Sequence, residues 1–205
     1  GAINGEPTSY ARTVEMGVSS GAFLGNANHV TIQTLTIEKF ANRAQRGAIH
    51  AYGWRQPVTP GHAWIIRNNT VRLNHGTGIS AGYGAQIVEN RVIRNGQLGI
   101  KSHGGADTLV ARNEIAYNNY AQFKFHWEGG ATKFRETTRL QVVDNHVHHN
   151  NGPGLWSDWD NIDTLYARNL VEHNASTGIF HEVSYDATIV DNVVRYNALE
   201  IGHTW

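Results

Sequence analysis

One unit of a repeat occupies residues 145–160, which read NHVHHNNGPGLWSDWD. Asn145 opens the unit, a valine follows two positions later, and a second asparagine follows five positions after the first. A glycine and a leucine come next and begin a short run of alternating residues. The opening asparagine recurs at intervals of 21, 23, 32, 24 and 23 residues, at Asn69, Asn90, Asn113, Asn145, Asn169 and Asn192. A period of this length is typical of proteins built from stacked repeats.

The apolar segments within each repeat are short and rich in valine and isoleucine, as in residues 140–143 and 187–190. No segment longer than about ten residues keeps a helical period. Glycine and asparagine, which tolerate left-handed backbone, separate the segments. The pattern predicts an all-β fold in which three short strands form one coil of a parallel β-helix.

We expect a single domain over residues 1–205 with about seven to eight coils. Residues 1–12 are polar and predict an irregular N-terminal segment. The longer intervals in the repeat predict insertions at residues 52–62 and 127–139. Both insertions are expected after a strand of the same sheet, and therefore at the same edge of the coil.

The composition excludes several other kinds of protein. The 205 residues include 17 basic and 17 acidic side chains, so no nucleic-acid or membrane-surface partner is indicated. The chain has no cysteine, hence no disulfide framework, and no run of about 18 apolar residues that would span a membrane. No signal peptide is evident after Gly1, which fits a mature secreted protein, a cytoplasmic protein or a trimmed chain.

The repeat resembles that of the right-handed parallel β-helix proteins of the pectate-lyase-like superfamily, over residues 13–205. The segments GGATKF, GPGLWSDWDN and GIFHEVSYDA resemble repeats of bacterial secreted or cell-surface members, most of which have no assigned activity. The resemblance implies a single-stranded, right-handed helix in which the opening asparagines form a ladder at the bend between the second and third strands. It also implies that the strand at each glycine–isoleucine pair belongs to the first sheet, whose outer face is the floor of the polysaccharide cleft in the enzymes.

The residues that follow the glycine–isoleucine pair are candidates for chemistry, because alternate strand positions share one face of a sheet. The first outward column contains His50, Ser80, Lys101, Lys124, Trp156 and Phe180. The second outward column contains Tyr52, Gly82, His103, His126, Asp158 and Glu182. The outer face therefore changes from basic to acidic along the stack. The column between them, which includes His181, consists mostly of small residues and is expected to point inward.

These columns indicate a carbohydrate-active protein that acts on an acidic, uronate-containing polysaccharide. Aromatic faces with a few polar groups are typical of ligand sites, and cationic side chains suit the carboxylates of uronic acids. β-Elimination or epimerisation is the favoured reaction, and hydrolysis is second. The candidate catalytic residues are His126, Asp158, Glu182 and His103. The candidate substrate-binding residues are Lys101, Lys124, Trp156, Phe180 and Trp127.

Several simpler interpretations remain open. A charged column on a solvated sheet face is ordinary, and an inward His181 is expected to be a core histidine with satisfied nitrogens. Oxygen ligands from Asp158, Asp160 and Glu182 would suit Ca²⁺. The histidines His146, His148 and His149 form a second, weaker candidate for metal binding.

A rival hypothesis for the whole chain is a non-catalytic scaffold. It includes a surface or polysaccharide-binding module and an excised or engineered β-helix core. No capping helix is evident at either end, and an uncovered coil exposes apolar core and unpaired strand edges. We therefore expect self-association through the ends, which Phe23 and Ile201 mark.

Overall fold

The computed structural model describes residues 15–52 and 60–199. The irregular segment at 1–12, most of the insertion at 52–62 and Ile201 lie outside the described residues. Within the described ranges the chain forms 21 strands and one 3₁₀ turn, Phe125–Trp127, with no α-helix. The strands are only two to six residues long, as expected of segments that place alternate side chains in the core.

Three parallel sheets take the strands in strict rotation, so that one strand from each sheet makes one coil. The first sheet contains β1 (Phe23–Leu24), β4 (Gly47–His50), β7 (Thr77–Ser80), β10 (Leu98–His103), β13 (Gly130–Arg135), β16 (Leu155–Asp158) and β19 (Ile179–Glu182). The second sheet contains β2 (Thr31–Gln33), β5 (Ile65–Arg67), β8 (Gln86–Val88), β11 (Leu109–Ala111), β14 (Gln141–Val143), β17 (Ile162–Ala167) and β20 (Tyr185–Val190). The third sheet contains β3 (Thr36–Glu38), β6 (Thr70–Arg72), β9 (Arg91–Ile93), β12 (Glu114–Ala116), β15 (His146–His148), β18 (Leu170–Glu172) and β21 (Val193–Arg195).

The pairing of strands confirms the predicted parallel β-helix. Each strand pairs with the strand of its own sheet in the next coil, as Leu155 with Ile179 and Val147 with Val171. Each sheet has seven strands, which gives seven coils. Inward isoleucine and valine side chains from all three sheets form one continuous buried core along the stack. A coil cannot bury this face alone, so each coil is stabilised by its neighbours.

The opening asparagines form the predicted ladder at the bend between the second and third sheets. Asn145 donates from its amide to Asn169 Oδ1 at 3.0 Å and to the carbonyl of Val110 at 2.9 Å. Its own Oδ1 accepts from the backbone and the amide of Asn113, both at 3.0 Å. Apart from the half-buried Asn192, the side chains are buried, and they satisfy backbone groups of the bends.

A second ladder, which the sequence analysis did not predict, lies at the bend between the third sheet and the next coil. It is formed by the second asparagine of each repeat, namely Asn74, Asn95, Asn118, Asn150, Asn174 and Asn197. Its bonds repeat those of the first ladder, as in the amide of Asn150 donating to Asn174 Oδ1 at 2.8 Å. Both asparagines of the frame therefore have the same structural role.

The fifth coil differs from the predicted alignment, which placed Lys124 and His126 on its first strand. That prediction is wrong: the strand is β13, in which Lys133 pairs with Lys101 and Arg135 pairs with His103. The insertion consequently precedes the strand, at residues 119–129, and does not occupy 127–139.

The physical reason is an exchange of core volume within β13. Thr132 stands where neighbouring coils have isoleucine or leucine, and its hydroxyl donates to the carbonyl of Gly154 at 3.1 Å. Phe134, from a column that elsewhere holds mostly small residues, is fully buried and fills the core. The apolar landmark is thus displaced by two positions, and the pattern of the other repeats does not reveal the strand.

The two ends of the described stack differ in how their inward residues are covered. Ile32, in the first coil, is 3% exposed, whereas Ile189 and Val194, in the last, are 53% and 48% exposed. Phe23, which marks the first end, is 36% exposed, Ile201 lies outside the described residues, and self-association stays a prediction. No helix in residues 15–52 or 60–199 is long and apolar enough to cross a membrane.

Candidate functional site

Two cavities open on the outer face of the first sheet. The N-terminal cleft, of about 320 Å³, is lined by Ala44, Gln45, Arg46, His50, Tyr52, Pro60, Ser80, Tyr83, Lys101, His103, Gly104 and Glu136. The C-terminal cleft, of about 150 Å³, is lined by Phe125, His126, Lys133, Pro153, Trp156, Asp158, Phe180 and Glu182. The predicted site residues are therefore divided between two places along the stack.

The C-terminal cleft brings a cation, two carboxylates and two aromatic rings together. The ammonium of Lys133 lies 2.9 Å from Asp158 Oδ2 and 3.6 Å from the centre of the Trp156 ring. Neighbouring strands supply these residues, because β16 pairs with β19 and sets Asp158 beside Glu182. The Lys133 side chain is nearly buried, so its charge is held in place by the carboxylate and by the ring face.

Trp156 is part of the wall and not an open platform. It is only 4% exposed, Lys133 covers one approach to its ring, and Phe180 stacks on it with ring centres 5.8 Å apart. Its indole Nε1 donates to Glu182 Oε2 at 3.0 Å. Phe180 is only partly buried, so it is the more accessible aromatic surface of the cleft.

His126 reaches the C-terminal cleft from the insertion and not from the sheet. The 3₁₀ turn Phe125–Trp127 carries it, and both amide and carbonyl of Asn119 anchor the loop through bonds to Phe123 at 2.8 Å. The side chain is exposed. The predicted position of His126 on a strand is wrong, yet it lines the same cleft as Asp158 and Glu182.

The N-terminal cleft is basic but its cations are engaged. Lys101 is buried and lies 2.6 Å from Glu128 Oε2. Burial lowers the pKa of Lys101, and Glu128 opposes this effect. Burial, with Arg46 and Lys101 nearby, lowers the pKa of His50 to about 3, so its imidazole is neutral at physiological pH. His103 lies 3.3 Å from Glu136.

The remaining predicted residues lie outside the two clefts. Lys124 and Trp127 do not line either cleft, and Asp160 is exposed. Within the described residues no three His, Cys, Asp or Glu side chains are arranged to hold a metal ion, and calcium binding by Asp158, Asp160 and Glu182 stays a prediction. His181 is in the inward column as expected, but neither ring nitrogen has a hydrogen-bond partner.

The sequence places Lys133 and Glu136 in the second insertion, in reach of the outer face only if that loop folds back, and it does not mark Glu128. The wrong alignment of the fifth coil kept Lys133 out of the predicted outer column. With the correct register, the lysine of GGATKF falls in the same column as Lys101. Glu128 and Glu136 lie in or beside loops, and they become neighbours of Lys101 and His103 only through the fold. No periodic pattern marks such residues.

Comparison with known proteins agrees with this architecture. A family model described as a right handed beta helix region matches residues 58–203. Three chains of solved structures match, among them "The complex structure of XylC with xylose", with a TM-score of 0.76 at 20% sequence identity. The match covers 88% of this chain but 35% of that one, so the chain spans about a third of its length. No curated protein matches.

Proposed function

Because this chain belongs to the right-handed β-helix family, we propose that it binds an acidic, uronate-containing polysaccharide across the outer face of its first sheet. The observation that carries the proposal is the C-terminal cleft, where Lys133, Asp158, Glu182 and an accessible Phe180 converge. Cations suit sugar carboxylates, and aromatic faces with few polar groups suit a pyranose ring. The xylose in the matched structure supports a sugar ligand on this fold.

The arrangement favours a reaction that begins with removal of a proton next to a carboxylate. His126 acts as the base that takes the proton from the carbon, and the ammonium of Lys133 stabilises the negative charge that develops on the sugar carboxylate. In β-elimination the electron pair forms a new double bond while the glycosidic oxygen leaves and takes up a proton from solvent water, to which His126 returns the proton that it removed. In epimerisation the same intermediate is reprotonated on its opposite face.

Hydrolysis comes second because both carboxylates of the cleft are already engaged. Asp158 is paired with Lys133, and Glu182 accepts a hydrogen bond from Trp156. Glycoside hydrolysis needs one carboxylic acid as a proton donor and a second carboxylate opposite it. Neither group here is placed as a free proton donor.

A non-catalytic polysaccharide-binding protein is the second candidate. It is favoured by the ion pairs, since Lys101 and Lys133 are both matched by a carboxylate before any ligand arrives. Such pairs rigidify a surface, and a rigid surface with an accessible phenylalanine can bind a sugar without turnover.

The test is incubation with polygalacturonate and with alginate, followed by ultraviolet absorbance of unsaturated sugars and by calorimetric binding. The His126→Gln variant is expected to lose activity by about 100-fold or more, as for loss of a proton-transfer group, while it still binds. His29→Gln serves as the matched control, because His29 is exposed and lies in the first coil, away from the C-terminal cleft. Binding without product in the unaltered protein would support the second candidate, and no binding of either polymer contradicts both.

A further inference from the structure

A column of stacked rings runs along the corner that follows the third sheet. Tyr117, His149, His173 and Tyr196 occupy the same position after four successive strands. The ring centres are 5.2, 5.0 and 5.1 Å apart, and successive planes are 26°, 22° and 22° from parallel. Stacked rings cover one another's faces, so their edges, with hydroxyl and nitrogen atoms, face the solvent at about the coil spacing.

Two cavities, each of about 410 Å³, adjoin this column and share Tyr117, His149 and Asn151. Together they form a groove parallel to the long axis of the stack, which we call the ring groove. Its walls carry hydroxyl, amide and imidazole groups and, at one end, Arg94. Among the residues that the structure describes, no Asp or Glu side chain lines either cavity.

Two arginines lie near the two ends of the ring column, and one of them, Arg94, lines the groove. Arg94 lies 5.7 Å from the Tyr117 ring centre, and Arg195 lies 5.5 Å from that of Tyr196. The nearest carboxylates sit on the third sheet and are engaged there. Glu172 pairs with Arg195 at 2.8 Å and with His146 at 3.1 Å.

The second nearby carboxylate is also occupied. Glu114 pairs with Arg91 at 2.7 Å and lies 3.6 Å from His148. His148 Nδ1 is 2.9 Å from His149 Nδ1. Burial, with His146 and His149 beside it, lowers the pKa of His148. The exposed ring of His149 is the one of the pair that lines the groove.

We propose that the ring groove is a second glycan site, which binds a linear acidic polysaccharide without catalysis and more tightly as the pH falls. A row of polar ring edges repeating at the coil spacing matches a polymer that presents one sugar, and one carboxylate, per step along the same axis. The site is separate from the clefts of the first sheet and does not depend on the function proposed for them.

The direction of the pH dependence follows from the stacking. Protonation of both His149 and His173 places two positive charges about 5 Å apart, which is unfavourable without an anion. A carboxylate ligand is still ionised at pH 5.5, and histidine is the side-chain type whose charge responds to a neighbouring anion in this pH range. The bound anion favours the protonated rings, and the affinity is lost again as the pH rises.

The test uses polygalacturonate and its fully methyl-esterified, neutral counterpart, with affinities measured at pH 5.5 and pH 7.5. A Lys133→Met background weakens the C-terminal cleft and leaves the ring groove intact. Binding of the acid polymer is expected to be about fivefold or more tighter at pH 5.5, the size expected for one or two exposed ion pairs. The imidazole proton resonances of His149 and His173 are expected to shift on binding, which locates the ligand.

The decisive variant is the double substitution His149→Tyr and His173→Tyr. Tyrosine fits this corner because Tyr117 and Tyr196 occupy it with φ of 56° and 55°, close to the 52° and 54° of the two histidines. The ring column should survive, and the pH dependence should vanish. His29→Tyr is the matched control, since His29 is exposed and has φ of 57°.

Three outcomes would overturn the proposal. They are an unchanged pH dependence in the double variant, equal binding of the neutral polymer at pH 5.5, and no shift of the His149 and His173 resonances at saturation. The last measurement uses the unaltered protein, so it decides the question even where the double variant does not fold.

Discussion

The asparagine ladders and the outer face of the first sheet are built from the same coils but in opposite ways. In a ladder every coil contributes the same residue, and each amide bonds to the next, as Asn145 does to Asn169. On the outer face each coil contributes a different residue, so that Lys101, Lys133 and Trp156 follow one another. Identical residues in a ladder column satisfy the hydrogen bonds of the buried backbone. Different residues in an outer column bring unlike charges and aromatic rings together. Stability and function are therefore carried by different columns of one repeat.

The largest expected effect is on the ladder side of this comparison. Asn145→Ala removes an amide that bonds to Asn169, Val110 and Val143 and that receives two bonds from Asn113. Buried partners would be left unsatisfied, and the free energy of unfolding should fall by about 3 kcal/mol. Denaturant unfolding monitored by circular dichroism measures this change in the free energy of unfolding.

Two further substitutions test whether the loss of unfolding free energy depends on burial in the ladder. Asn192→Ala, in the half-buried last rung of the ladder, should cost about 1 kcal/mol because water replaces part of the lost bonding. Asn26→Ala, at an exposed position outside the frame, should change the unfolding free energy little. Equal losses at Asn145 and Asn26 would show that the ladder does not act as described.

On the outer face the sharpest comparison is between two lysines nine positions apart. Lys133→Met keeps the aliphatic stem over Trp156 but removes the charge that faces the C-terminal cleft, so the affinity for polygalacturonate should fall about tenfold, or about 1.4 kcal/mol. Lys124→Met should have a smaller effect, because that side chain does not line the cleft. A larger loss of affinity in Lys124→Met than in Lys133→Met would support the alignment that places Lys124 on the first sheet, and would contradict the structure. Titration calorimetry at low salt distinguishes the two.

Substitutions of the two aromatic residues of the C-terminal cleft should have different effects, one on substrate binding and the other on stability. Phe180→Ala removes an accessible ring, and we expect KM to rise about fivefold, or about 1 kcal/mol, with kcat unchanged, since stacking acts equally on ground and transition states. Trp156→Ala should instead lower the unfolding temperature, because the indole is buried. Steady-state kinetics on a polymer that proves active, together with thermal melts, provide both readouts.

The smallest expected effect concerns the open end of the stack. Ile189 and Val194 are exposed where other coils bury the equivalent side chains, so a weak, concentration-dependent association is expected. Ile189→Lys should abolish it while leaving the monomer folded. Light scattering over a wide concentration range tests this, and a strictly monomeric unaltered protein would contradict it.

The sequence was sufficient for the fold wherever a column repeats one chemical character. The Asn145 frame identified the bends, and the short valine- and isoleucine-rich segments identified the strands. It was insufficient where a coil exchanges core volume between positions, as Thr132 and Phe134 do. Because of this exchange, the repeat pattern assigned Lys124, and not Lys133, to the outer face of the first sheet.

The composition of the C-terminal cleft was partly predictable for the same reason. Asp158, Glu182 and Phe180 belong to strands in register with the frame, and the structure brings them together. The burial of Trp156 was not predictable, because it depends on a lysine from another coil lying over its ring. Contacts between coils are set by the fold and leave no periodic trace in the sequence.

The rotation of strands among three sheets has a consequence for how the chain reaches its native state. Among the described strands, none pairs with the strand that precedes or follows it, so a whole coil must close before the first ladder hydrogen bond forms. Closing such a loop costs entropy before any contact compensates for it, which predicts slow folding. The shortest rungs, Asn69 to Asn90 and Asn74 to Asn95, each span 21 residues, and the two coils that they join are the natural nucleus. Coils would then add in both directions, and the last coil, with its open core, would be the last to form and the first to fray.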